Sequence, residues 1–223
     1  MLRILAAGLS ALCLAACGGD DEPQPRAETP ASPPAVDPSG CEVVDTPPAK
    51  DIKLSPPTAE PDPAKTYVAV VETSCGFFEI TLDAQRAPKT AASFMSLAVK
   101  KFYNGTTIHR IVPNSVIQGG DPSGTGTGGP GYTIRERPPK GIRYTKGIVA
   151  MAKTDQEPAG TSGSQFFIVT GTDGAQLPPE YALLGRITKG EDVVARIGAI
   201  MTDPSTYRPD HPIVFESISI RET

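Results

Sequence analysis

Thr107-Ile108-His109-Arg110-Ile111-Val112 and Gln165-Phe166-Phe167-Ile168-Val169-Thr170 are the two stretches whose reading decides the fold. Both are short and rich in β-branched or aromatic residues, which is the mark of strands. At a period of two, Ile108, Arg110 and Val112 fall on one face of the first. In the second, Gln165, Phe167 and Val169 share one face, and Phe166 and Ile168 take the other. Each strand therefore sets a polar side chain among apolar ones. An Arg amid aliphatic neighbours costs stability unless it is paired or used, and a snorkelling or salt-bridged Arg is the structural alternative. A Gln beside a Phe suits a shallow apolar pocket with polar orienting groups, or a half-buried outer face.

Further strands surround these two. Tyr67 to Thr73 and Phe77 to Leu82 flank a turn at Ser74-Cys75-Gly76 and predict a hairpin. Val116 to Gln118, Gly147 to Ala152 and Ile213 to Ile220 also read as strands. Pro88 opens a helix whose apolar face is Ala91, Phe94, Met95 and Ala98, with Lys100 and Lys101 at its C-terminal dipole and Asn104-Gly105 as its stop. Glu191 to Ile197 is a second, short helix. Many short strands with two helices argue for a barrel or sandwich and against a βαβ fold.

The N-terminal part has a different composition. Arg3 and the apolar run Ile4 to Leu14 read as a signal peptide over residues 1–16, too short to span a bilayer. Leu14-Ala15-Ala16-Cys17 resembles the bacterial lipobox, which makes Cys17 the expected lipidation site and the product an extracytoplasmic, membrane-anchored protein. An ordinary secretory signal is the alternative. Residues 21–63 hold 12 of the 24 prolines, so residues 17–66 read as a disordered, polyproline-like tether, whose free part shrinks to residues 18–40 if Cys41 is tied to Cys75. The domain then covers residues 67–223. Cys41 and Cys75 are the two thiols left for an oxidising compartment. They are expected to pair and to stabilise the fold by roughly 3–4 kcal/mol, with Cys75 at a turn favouring an accessible sulfur. Two unpaired Cys are the alternative.

Several functions are excluded. The 223 residues carry 21 basic and 25 acidic side chains, a net charge of −4, which suits no nucleic-acid backbone. Two His and four Cys argue against a multi-His or zinc-ribbon metal site, and neither a metal nor a cofactor is expected. Gly124 to Gly129 matches G-x-G-x-x-G literally, but Pro130-Gly131 follows where the phosphate-binding mechanism needs a helix. Gly163-Ser164-Gln165 lacks the spacing of a nucleophile elbow.

Taken together and in order, Ile108 to Pro113, Val116 to Pro122, Gly126 to Gly129 and Gly163 to Ile168 resemble the cyclophilin family of peptidyl-prolyl isomerases. Ala87 to Thr90, Gly147 to Ala152 and Leu184 to Ile187 extend the resemblance over residues 67–223. It implies an all-β fold, a closed eight-stranded antiparallel barrel capped by two α-helices. It also implies activity on Xaa-Pro bonds of polypeptide partners, with Arg110 as the catalytic Arg and Gln118 as the residue that orients it. Val116, Phe167 and Leu177 match the walls of the proline pocket. Ala152, Lys153 and Gln165 match positions that bind the substrate chain, and His109 sits beside the Arg in a structural role.

The implied chemistry is physically sound. Resonance gives the amide a rotation barrier of ~18–20 kcal/mol. In the twisted transition state the prolyl nitrogen regains a lone pair, which a guanidinium binds better than it binds the planar amide. Three positions depart from the family: Ser115 replaces a Phe flooring the pocket, Tyr181 replaces a His, and Gln176 stands near a Trp of cyclosporin-sensitive members. The expectation is a monomeric isomerase assisting the folding of extracytoplasmic proteins. Its rival is a proline-peptide binding or chaperone module with little turnover, for which Ser115 speaks. A solute-binding lipoprotein would need a two-lobed α/β architecture that this strand pattern lacks.

Overall fold

A computed structural model describes residues 35–223, so the expected signal peptide (residues 1–16) and Cys17, the expected lipidation site, lie outside the described part. The chain forms strands β1 (Tyr67–Thr73) and β2 (Gly76–Leu82), helix α1 (Pro88–Val99), and strands β3 (Thr106–Val112) and β4 (Val116–Asp121). There follow β5 (Ile134–Arg135), β6 (Ile148–Met151), β7 (Thr161–Ser162), β8 (Phe166–Val169), a 3-10 turn (Asp173–Gln176), β9 (Leu183–Lys189), helix α2 (Glu191–Gly198) and β10 (Val214–Glu222). Eight of the strands close into an antiparallel barrel in the order β1-β10-β3-β4-β8-β6-β9-β2, and β5 pairs with β7 outside it. No helix among the described residues is long and apolar enough to cross a membrane.

Alternation fills the barrel. Val71, Phe78, Ile80, Ile111, Ile117, Val149, Phe166, Ile168, Leu184 and Phe215 point inward as one buried cluster. Phe94 and Leu97 of α1 join it, and Phe94 meets Tyr103 and Phe166 at ring-centroid distances of 5.0 and 5.5 Å. Val193, Val194 and Ile197 of α2 do the same from their own face. Ala87 gives α1 no side-chain cap. The carboxylate of Glu136 instead accepts from the Lys89 and Thr90 amides, satisfying helix donors from 47 and 46 residues away. The helix ends at Val99, with Lys100 as its C-cap, and not at Asn104-Gly105. Lys101 turns left-handed (φ 55°), and the Lys101 and Phe102 amides donate back to Ala98 and Leu97.

Two expectations about the N-terminal segment are corrected. Residues 41–66 are not a free tether. Cys41 bonds Cys75 with S–S 1.98 Å, and both sulfur-bearing residues are buried rather than accessible. Beyond the disulfide, Ile52 and Leu54 pack on the barrel core, and the Lys50 and Leu54 amides donate to the carbonyls of Pro122 and Pro130 in the loop after β4. A chain poor in apolar residues cannot fold alone, but a finished barrel needs only two aliphatic side chains and a covalent staple to hold a strap against it.

Candidate active site

The register across four strands places the site. Arg110 of β3 lies opposite Gln118 of β4, Gln118 opposite Phe167 of β8, and Phe167 opposite Ala150 of β6. Directly paired residues share a face, so these four form a row on the outside of the barrel. Strict alternation would have put Arg110 on the face of Ile108. The register shifts between Ile108 and Arg110, making His109 the extra residue of a β-bulge. Ile108 and Ile111 therefore both enter the core, while Arg110 and Val112 face out. A second shift is absorbed on β4 at Gly120, whose φ of 85° and tight approach to the Ser164 carbonyl suit glycine alone.

An open pocket of about 410 Å³ surrounds the row, lined by Arg110, Val116, Gln118, Phe167, Leu177 and Tyr181, with Ala152 to Asp155 on one rim. Val116 and Phe167 belong to a second apolar cluster with Tyr144, Ala150, Val169 and Leu183, against which Leu177 and Tyr181 pack. Phe167 meets Tyr181 edge to face at 5.2 Å. Buried Tyr144 backs both rings. Its hydroxyl donates to the Tyr181 carbonyl at 2.6 Å and accepts from the Tyr181 amide at 2.9 Å. Burial pushes the Tyr144 phenol up to about 12.

Polar contacts order the rim. Gln118 Nε2 donates to Gln165 Oε1 at 3.0 Å, and Gln165 Nε2 donates to the carbonyls of Gly126 and Gly128, each at 3.0 Å. Gln165 lies in a neighbouring groove of about 610 Å³ that shares Gln118, Ala152, Lys153 and Thr154 with the pocket and has Lys53 on another wall. The Lys153 side chain is only 3% exposed, pairs with Glu180 at 3.2 Å and sits 5.7 Å from the Tyr181 ring centroid. Arg110 has no carboxylate partner among the described residues. Its guanidinium lies 5.6 Å from the centroid of the Tyr207 ring, which leaves its N–H groups free.

The rejected motifs acquire structural reasons. The Asp121 carboxylate accepts from the amides of Ser123, Gly126 and Gly128, so loop donors that would cradle a phosphate already hold an anion. Burial works to raise the Asp121 carboxyl, but these hydrogen bonds outweigh it and hold it below the usual range. Ser164 is buried and donates to the Gly120 carbonyl, so it is no nucleophile. His109 is buried with neither ring nitrogen hydrogen-bonded to protein. Burial foremost holds its imidazolium below the ordinary 6.5.

Of the residues singled out in the sequence, the structure brings together Arg110, Val116, Gln118, Ala152, Lys153, Phe167, Leu177 and Tyr181, with Gln165 adjoining. Ser115 is not on the pocket wall. It closes the β3–β4 turn, where its amide donates to Val112 and its carbonyl accepts from Thr170. Gln176 is exposed in the 3-10 turn and is absent from the lining. Tyr144, Thr154, Asp155 and Tyr207 were not found by sequence reasoning, because all four come from irregular segments that carry no period.

The pocket sets an unpaired guanidinium beside the apolar side chains of Val116, Phe167 and Leu177 on the outer face of a closed barrel. Residues 68–220 match the family described as cyclophilin type peptidyl-prolyl cis-trans isomerase/CLD, and the chain belongs to that family. It is 35% identical over 175 residues to peptidyl-prolyl cis-trans isomerase B of Streptomyces anulatus, covering 70% of this chain and 98% of that protein. It is 36% identical over 176 residues to a probable peptidyl-prolyl cis-trans isomerase A of Mycobacterium bovis, covering 71% and 94%. A crystal structure of a Cryptosporidium parvum cyclophilin type isomerase, determined in the presence of the dipeptide Ala-Pro, superposes with a TM-score of 0.64 at 29% identity. That match covers 70% of this chain and 99% of the other.

Proposed function

We propose that this protein is a lipid-tethered, extracytoplasmic peptidyl-prolyl isomerase that accelerates the folding of other chains at their Xaa-Pro bonds. The observation that carries the reading is the free guanidinium of Arg110, one strand from Gln118 and beside an apolar pocket walled by Val116, Phe167 and Leu177. The walls hold the prolyl ring. Arg110 donates to the prolyl nitrogen as it leaves the amide plane, and so binds the rotated state more tightly than either planar isomer. Gln118 keeps one amide oxygen for the substrate or Arg110, because its Nε2 is engaged by Gln165. The lipobox-like Leu14 to Cys17, the Pro-rich segment after it and the Cys41–Cys75 disulfide support a place outside the cytoplasm. The Ala-Pro dipeptide of the Cryptosporidium structure supports a prolyl substrate. The protein works as a monomer.

Exchange NMR on a short Xaa-Pro peptide tests the activity. Cis–trans exchange faster than the uncatalysed rate of tens to hundreds of seconds is expected. Peptide shifts without faster exchange would instead identify a binding module. Labelling of the cells with a fatty-acid analogue tests the anchor, because the label must disappear with Cys17→Ala.

A further inference from the structure

Residues 50–54 lie outside the span that the family match covers, yet they are built into the support of the site. The Lys50 amide donates to the Pro122 carbonyl at 2.8 Å and the Leu54 amide to the Pro130 carbonyl at 2.7 Å. Those acceptors are the two ends of the Gly-rich loop 122–130. The Lys50 ammonium also donates to the Asn104 carbonyl just beyond α1. Packing gives an independent sign of the same contact. A Cβ at Gly131 would lie 2.8 Å from Lys53 Cδ and 3.3 Å from Lys53 Cα, so the strap backbone lies in close contact with the chain just after the loop.

The loop needs such bracing. Gly124, Gly126, Gly128 and Gly129 leave its backbone many conformations to lose. From inside, Asp121 takes the amides of Gly126 and Gly128. The carbonyls of these same residues take Gln165 Nε2, and Gln165 Oε1 takes Gln118 Nε2. A continuous path thus runs from the strap backbone through the loop and Gln165 to the residue paired with Arg110.

We infer that residues 50–54 are a positioning element of the isomerase site, bracing the loop 122–130 at both ends and thereby fixing Gln165 and the amide of Gln118. This rests on the isomerase reading above. Without the strap the loop carbonyls wander, Gln165 loses its two acceptors, and Gln118 samples orientations in which its free oxygen no longer faces the substrate. The barrel strands pair with one another without any strap residue.

The test deletes the two donors in the full-length protein. The double variant Lys50→Pro/Leu54→Pro removes both N–H groups, while Glu60→Pro places a proline farther along the segment, where the amide has no partner among the described residues. The measurements are kcat and KM by exchange NMR, the side-chain amide resonances of Gln118 and Gln165, and the thermal midpoint. The double variant is expected to shift both glutamine resonances and to lower kcat three- to tenfold, with KM changed less than twofold. Glu60→Pro leaves all of these in place. Unmoved glutamine resonances overturn the inference, as does an unchanged kcat despite moved resonances. If the double variant does not fold, the single substitutions test each end in turn by the same resonances. If the wild-type protein shows no turnover, the isomerase reading fails, and the resonances still decide whether the strap controls Gln118.

Discussion

Replacing Arg110 by Ala tests the mechanism where it is most exposed. A charge-assisted hydrogen bond contributes about 1.5–3 kcal/mol, and loss of one preorganised donor at a transition state costs about 2.7–4 kcal/mol in water-excluded sites. The pocket here is open and Arg110 half-buried, so the smaller part of that range applies, about 2–3 kcal/mol. At 1.36 kcal/mol per tenfold this is about a 30- to 160-fold loss of kcat/KM. Stability should hardly change. The guanidinium leaves no carboxylate stranded, and its one partner is the Tyr207 ring at 5.6 Å, a contact of about 0.5–1 kcal/mol. Arg110→Lys keeps the charge but not the fork of donors, and should fall between wild type and Ala. Exchange NMR gives the rate and urea unfolding the stability. A folded Arg110→Ala protein within threefold of wild type would refute the proposed role. A stability loss above about 2 kcal/mol would refute the claim that the guanidinium is unpartnered.

Other parts of the structure make separate predictions. Opening the Cys41–Cys75 link, which spans 34 positions, with the pair Cys41→Ser/Cys75→Ser should cost about 4 kcal/mol by loop entropy, read as a lower urea midpoint with a steeper slope, because the unfolded chain without the cross-link exposes more surface. Tyr207→Leu should lower kcat about two- to fivefold with KM little changed, while Tyr207→Phe, which keeps the ring over Arg110, should restore it. His109 has a folded pKa depressed by burial and by Arg208, against the pull of Asp121. Its contribution is therefore present above pH 6.5 and is lost as pH falls through the folded value. Urea midpoints should drop from pH 7 to pH 5, and His109→Asn should flatten that slope.

What could be read from the sequence depended on whether a side chain sat in a regular strand. Gln165, Phe167 and Phe166 obey alternation without a break, so both faces of β8 were legible from spacing. Arg110 is singled out by its spacing for a sound reason and shares its face with Val112 as expected, but not with Ile108. A bulge adds one residue to a strand without any mark in composition, and His109 looks like any other strand residue. β9 shows in the sequence only as the motif Leu184 to Ile187, because Gly185 and Arg186 interrupt its apolar run, and the β5–β7 pair is too short to carry a period. The closed barrel itself came from the resemblance, since local spacing does not distinguish a barrel from a sandwich. The strap was misread because composition measures whether a segment can fold alone, not whether it can bind a finished surface. Tyr144 and Tyr207 reach the site from loops, where position follows from tertiary contacts.

Ser115 lies at the β3–β4 turn, off the pocket wall, so a ring placed there acts only if it reaches the prolyl group, and which state it then touches decides between a working enzyme and a weak binding module. A ring at this position would cover the planar and the rotated prolyl group alike. Its loss is then uniform: it weakens binding of substrate and transition state equally and leaves the barrier between them unchanged. Restoring about 50 Å² of apolar contact at 25 cal/mol per Å² is worth roughly 1.3 kcal/mol, or about tenfold. Ser115→Phe should therefore lower KM about tenfold and leave kcat alone. The backbone is prepared for the change, since the turn is already held by the Ser115 amide on Val112 and by Thr170 on the Ser115 carbonyl. If kcat rises instead while KM stays fixed, the missing ring acts on the rotated state alone, and the wild-type chain is the binding module rather than the enzyme. An unchanged KM and kcat in a folded variant would mean that the pocket closed by Val116, Phe167, Leu177 and Tyr181 has no floor at this turn.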